Sequence, residues 1–151
     1  MRWKIKGEKQ KINKYVLIGV PHTSNWDFLF IILLSIHFRI KINWLGKKEL
    51  FKFPFGMFSK FLGGIEVGNN TVDRMVSEFN KKDKFILGIA PSGDRKKKEW
   101  KTGFYNIAKL SNVPVVCGFI DYKSKTFGIK DTIYLTDNYE KDIERIKNNY
   151  K

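Results

Sequence analysis

Three strand-length runs, Tyr15 to Val20, Phe85 to Ala90 and Val113 to Ile120, contain no charged residue and no polar–apolar alternation. A strand with one wet face alternates polar and apolar side chains, so these runs have to be buried on both faces, as in a mainly parallel sheet covered by helices. The rest of the chain agrees. Strands are predicted at 14–20, 42–46, 64–67, 84–90, 114–121 and 126–135, and helices at 25–37, 54–62, 71–80, 100–111 and 138–149. That order gives an α/β fold class, a mostly parallel β-sheet with helices on both faces. Residues 80–84 and 121–125 are polar connections, Gly68-Asn69-Asn70 reads as a turn capping the helix from Thr71, and no Pro/Gly/Ser-rich linker or repeat divides the chain. The 151 residues are therefore expected to form a single domain, 1–151.

The first buried run leads into Pro21-His22-Thr23-Ser24-Asn25-Trp26-Asp27, and a second apolar run, Phe28 to Ile36, follows at once. His22 and Asp27 thus stand at a strand-to-helix turn, where α/β enzymes place their chemistry. An imidazole titrates near neutral pH, and a carboxylate that fixes its tautomer makes it a directed base. With two histidines and eight aspartates in the chain, the spacing alone is weak. Its bland reading is a surface histidine beside a capping cluster, with Thr23, Ser24 or Asn25 as N-cap.

Three further blocks follow in order. Gly46-Lys47-Lys48-Glu49-Leu50-Phe51 runs on through Pro54 and Gly56 to Gly63-Gly64-Ile65; Pro91-Ser92-Gly93-Asp94-Arg95 precedes Lys101-Thr102-Gly103-Phe104; and Val113-Pro114-Val115-Val116 opens a strand. With the His22/Asp27 block, these resemble the four sequence blocks of the glycerolipid acyltransferase family, of the lysophosphatidic-acid acyltransferase type, over roughly residues 15–121. Two positions depart from the family pattern. Ser92 stands where a glutamate is usual, and Val67-Gly68-Asn69-Asn70 stands near where the second block usually ends in an arginine.

The resemblance implies a reaction and its parts. A fatty acyl group would pass from a thioester, acyl-CoA or acyl-carrier protein, to a hydroxyl of a lysophospholipid or glycerol-phosphate-type acceptor in phospholipid biosynthesis. His22 would be the general base and Asp27 its support. Ser92, Gly93, Arg95 and Lys101 would bind substrate, with Arg95 holding an anion and Gly93 letting the backbone approach it. The bland alternative for Arg95 and Lys96 to Lys98 is a solvated loop. No cofactor or metal is expected, and no G-x-S-x-G elbow marks a nucleophilic serine.

The formal charge of +14 would attract phosphates, but 24 of the 29 basic residues are lysines spread over the whole chain, and no helix-turn-helix, zinc-finger or RNP pattern appears. A nucleic-acid module is thus the weaker alternative, and a degenerate, lipid-binding member of the fold is the other. A single cysteine, Cys117, in a predicted buried strand excludes a disulfide framework and suits a reducing compartment. The apolar run Phe28 to Ile36 falls far short of the roughly 20 residues of a membrane span, and Met1 to Lys6 lacks the apolar core of a signal peptide. The expected location is cytoplasmic, attached peripherally to the inner face of a membrane. Five phenylalanines interleaved with lysines in 51–61 would supply the contact, or else form a core helix after Pro54. Trp3, Trp26, Trp44 and Trp100 could anchor at an interface or simply pack.

Overall fold

The computed structural model describes residues 3–8, 10–20, 27–46, 48–52, 54, 56–91 and 100–150, and backbone only at 20, 27–29, 49 and 50. Among the described residues, seven strands form one sheet: β1 (Lys4–Lys6), β2 (Lys14–Val20), β3 (Asn43–Gly46), β4 (Gly64–Glu66), β5 (Phe85–Ile89), β6 (Val115–Asp121) and β7 (Thr126–Ile133), ordered β1-β7-β6-β2-β5-β3-β4. Strands β6, β2, β5, β3 and β4 run parallel, β7 returns antiparallel beside β6, and β1 pairs parallel with β7. The six strands expected from sequence are all present. β1 is the addition; three residues on an edge carry no periodicity of their own.

The helices are α1 (Asp27–Phe38), α2 (Gly56–Phe61), α3 (Thr71–Lys81), α4 (Gly103–Ser111) and α5 (Tyr139–Asn148). Alternate residues of the central strands feed two cores. Val16, Ile18, Leu87, Val115 and Cys117 pack with Phe79 of α3, Phe104 and Ile107 of α4 and Ile146 of α5. Tyr15, Leu17, Ile86 and Val116 pack on the opposite face with Leu34 and Phe38 of α1 and with Phe127 and Ile129 of β7. The sheet is therefore covered on both sides, as the uninterrupted apolar strands require. Gly88 of β5 has Ile31 of α1 and Ile42 so close that an added Cβ would touch both at 3.4 Å, which seats α1 over the sheet centre.

Three boundaries differ from the sequence reading. The helix expected at 54–62 is the six-residue α2, preceded by a 3-10 turn at Lys48–Phe51. It stops because Gly63 turns left-handed (φ 95°) and the Leu62 and Gly63 carbonyls are taken by Trp44 Nε1 (3.2 Å) and Asn43 Nδ2 (3.3 Å). The helix expected from 100 starts at Gly103, because the Lys101 N–H is spent on the Pro91 carbonyl (2.9 Å). At the start of α3, Asn70 gives no side-chain cap; it sits left-handed (φ 59°), and Thr71 Oγ1 instead accepts from the Gly68 N–H (3.0 Å).

Candidate active site

The path of the chain around β2 fixes where chemistry could lie. From β2 the chain crosses one face through α1 to β3; from β5 it crosses the other face through α4 to β6. β2 and β5 are adjacent and parallel, with Ile18 beside Ile89, so their carboxyl ends lie together while their connections part in opposite directions. Open α/β sheets bind ligands in the crevice at such a switch point.

The two chemistry-bearing blocks are the connections that leave this point. Residues 21–26 join Val20 to Asp27, the first residue of α1, and residues 92–99 follow Pro91 beyond β5. His22, Ser92, Gly93 and Arg95 lie outside the described residues, as do Thr23 to Trp26 and Lys96 to Lys98, and the side chain of Asp27 is likewise not described. What the structure brings together is their anchors: the end of β2, the first turn of α1 and the end of β5.

Lys101 can be placed, and its position is informative. Its N–H donates to the Pro91 carbonyl (2.9 Å), so the segment 92–100 begins and ends at one spot at the carboxyl edge of β5. Trp100 holds the second foot, packing edge-on against Phe104 (5.8 Å) and near Tyr150 (6.1 Å), with Lys147 Nζ 5.3 Å over its ring. The Lys101 side chain is exposed.

Two features were not foreseen. Trp3, Phe30 in the first turn of α1, Phe127 at the start of β7 and Tyr122 just past β6 form an aromatic cluster, with ring centroids 5.0 Å (Trp3–Phe30 and Phe30–Phe127) and 5.5 Å (Trp3–Tyr122) apart. Because β6 is parallel to β2 and Asp121 pairs with Thr126, this apolar wall stands at the same sheet edge, on the α1 side. On the same side, at the end of β2, no described atom lies within 4 Å of where a Cβ on Gly19 would stand. No local pattern ties Trp3 to Phe30; only the pairing of β1 with β7 does.

The second feature is Arg74. Its guanidinium folds back to the carboxyl end of β4, donating to the Glu66 carbonyl (3.0 Å) and to Thr71 Oγ1 (3.4 Å). Near Asn69 and Asn70 the second block lacks its usual arginine, but one helical turn later Arg74 sets a cation at the same sheet edge. At about 4.8 Å per strand it lies three spacings, roughly 14 Å, from β2. The signal in the sequence was the i, i+3 relation of Thr71 to Arg74 at a helix start.

Of the tryptophans that can be placed, Trp44 is buried and stacks on Phe51 (6.0 Å), while Trp3 and Trp100 pack as above. The packing reading holds for these three. Cys117 is buried in β6, and burial pushes its thiol up to about 11.

A family model described as Acyltransferase matches residues 2–120. No curated protein matches the sequence. Among solved structures, the crystal structure of the 1-acyl-sn-glycerophosphate (LPA) acyltransferase, PlsC, from Thermotoga maritima is similar with a TM-score of 0.65, over 96% of this chain and 69% of that one, at 17% identity. At that identity the likeness is one of fold.

Proposed function

Since this chain belongs to the acyltransferase family, we propose that it moves a fatty acyl group from a thioester, acyl-CoA or acyl-carrier protein, to a hydroxyl of a lysophospholipid or glycerol-phosphate-type acceptor. The observation that carries the reading is that the His22/Asp27 connection and the Ser92/Arg95 connection leave adjacent parallel strands at one switch point. In the proposed reaction His22 takes the proton of the acceptor hydroxyl as its oxygen attacks the thioester carbonyl. The tetrahedral intermediate then collapses, the C–S bond breaks, and the imidazolium returns the proton to the leaving thiolate. Asp27 orients the ring and balances its transient charge. Arg95 and Lys101 bind the anionic part of a substrate, Gly93 admits it close to the backbone, and Ser92 donates a hydrogen bond. The Trp3, Phe30 and Tyr122 wall supplies an apolar side for the acyl chain.

The whole of 1–151 acts as one domain in this reading, without cofactor, working from the cytoplasm at the inner face of the membrane. The substitution at Ser92 favours a second reading, a lipid binder that does not turn over, because a neutral hydroxyl does not orient an acceptor as a carboxylate does. Thioester consumption measured over a panel of lipid acceptors separates the two. Turnover in the parent, reduced by about 10²–10⁴-fold in His22→Ala and also slowed in Asp27→Asn, is expected for general-base catalysis. A folded His22→Ala protein with parental rates would refute the assignment, and no turnover with any acceptor would favour the binder.

A further inference from the structure

Helix α1 is apolar on nearly every side, which in a soluble protein calls for burial on every side. Its inward residues Leu34 and Phe38 are buried, yet Leu33 is 47% and Ile36 68% exposed. α2 lies on the same face of the sheet. Phe51, just before it, stacks on Trp44, and the turn after it bonds Trp44 Nε1, which places it over β3 and β4 while α1 covers β2, β5 and β7. α2 also turns its large apolar residues outward, with Met57 80%, Phe58 63% and Phe61 85% exposed. Five large apolar side chains on two helices of one sheet face are therefore exposed to the same side. An isolated exposed Leu needs no explanation, but five such residues on one face of the sheet do.

The charge around this surface names its occupant. Arg39, Lys41, Lys48, Lys52 and Lys60 are exposed within the same segments, and from residue 28 to residue 65 the chain has a single acid, Glu49. The opposite face is balanced, since α3 and α5 carry Asp73, Glu78, Glu140 and Glu144 among their cations. A protein partner or a second copy of this chain would have to bury those five cations against its own matching set. An anionic bilayer accepts apolar side chains between headgroups whose charge meets the surrounding lysines. We infer that the outer faces of α1 and α2 together form a docking surface for anionic membranes. The surface reaches beyond the 51–61 stretch, of which Phe53 and Phe55 lie outside the described residues, and it includes the helix that begins at Asp27. At about 1.5 Å per residue, Ile36 is roughly 14 Å along α1 from Asp27, so docking holds the end of β2 within a headgroup layer's reach of the lipid. The inference rests on the acyl-transfer reading for its purpose, while the surface stands on exposure and charge alone.

The test is sedimentation of the full chain with vesicles of phosphatidylcholine, with and without phosphatidylglycerol, at low and high salt. Binding is expected only with phosphatidylglycerol, weakening as salt rises. Lys60→Ala should weaken it about fivefold, the equivalent of roughly 1 kcal/mol per lysine near such a surface. Ile36→Glu and Phe61→Glu should weaken it by at least about tenfold, since each puts a charge where an apolar group enters lipid. Leu110→Glu, at an equally exposed residue of α4 on the other face, should bind as the parent does. All four positions are exposed, so thermal melts should not move. Parental binding by Ile36→Glu and Phe61→Glu, equal loss in Leu110→Glu, or equal binding to neutral vesicles would overturn the inference. So would a lipid-free dimer, seen by sedimentation velocity, that Phe61→Glu dissociates. Turnover of a water-soluble short-chain thioester, followed in the same variants, should stay parental, so failure of docking and failure of acyl transfer are told apart.

Discussion

Replacing Asp142 by Asn should destabilise the fold at neutral pH and remove part of its sensitivity to acid. Asp142 is fully buried on the inward side of α5, four residues before the equally buried Ile146. Its carboxylate accepts from Tyr105 Oη of α4 (2.7 Å), from Thr136 Oγ1 (2.8 Å) and from the Thr136 N–H (2.9 and 3.1 Å), which ties α5 to α4 and to the chain leaving β7. Arg145 lies 3.7 Å away and half-exposed, so solvent screens most of its contribution. Burial alone would raise the carboxyl's pKa; the donors from Tyr105 and Thr136 outweigh it and hold the group below the ordinary carboxylate value. Asn keeps the shape and one acceptor, but it loses the charge and turns an amide N–H₂ toward groups that are themselves donors. Hydrogen bonds to a charged group contribute about 1.5–3 kcal/mol each, and a partly rearranged network should leave a loss of about 3 kcal/mol. In a chain of this size that lowers Tm by roughly 6–12 °C. A carboxyl depressed in the folded state stabilises fully above its unfolded pKa, about 3.9, and stops doing so as pH falls through the lower folded value. Melts followed by circular dichroism should therefore show parent and Asn variant far apart at neutral pH and converging as the pH drops below about 4. A variant that melts with the parent at neutral pH, or a gap that stays constant on acidification, would refute the reasoning.

The alkaline side is expected to be governed by buried tyrosines: burial moves Tyr15 and Tyr105 up to about 12 and raises Tyr150 as well, while Tyr122, Tyr134 and Tyr139 are exposed. The folded state then keeps protons that the unfolded chain releases from about pH 10, so stability should fall between about pH 10 and 12. In a phenolate-absorbance titration, Tyr15, Tyr105 and Tyr150 should ionise only as helix content is lost; their ionisation with helix content intact would contradict this. Gly128 of β7 has φ 153°, and a Cβ there would run into the Lys6 carbonyl of β1. Gly128→Ala should therefore cost on the order of 1–3 kcal/mol and speed hydrogen exchange at residues 4–6, and parental exchange there would show that β1 adapts.

Which parts of the fold were legible follows from what holds each part in place. β2, β5 and β6 are buried on both faces, and that demand is written in every residue of their runs. α3 and α5 show one apolar stripe each, with Met75 and Phe79 inward in α3 and Ile143 and Ile146 packed on the core in α5, so their period was plain in the sequence. β1 was not legible because Lys4-Ile5-Lys6 forms a strand only through a partner more than 120 residues away. The phenylalanines of 51–61 fitted both a core helix and an exposed surface. The length of α2 decides between them where they are described: six residues over two short strands, β3 and the edge strand β4, bury Gly56 and leave Phe58 and Phe61 outside, while Phe51 finds Trp44.

The site divides along the same line. A histidine and an aspartate at a strand-to-helix turn are a local signal, and the β2–α1 junction falls where that signal put it. That β5 inserts between β2 and β3, and so carries Pro91 and Lys101 to the same edge, is a fact of topology that no window of sequence contains. Asn69 and Asn70 show the limit most directly. Polar residues before a helix suggest side-chain capping, but Asn also tolerates a left-handed backbone, and at position 70 the fold uses that tolerance instead. The left-handed turn starts α3 close behind β4, which is why Arg74, one turn in, reaches back to the Glu66 carbonyl. A scan for the family's arginine at its usual place finds asparagine. The backbone conformation that asparagine permits is what brings an arginine to the carboxyl edge of the sheet.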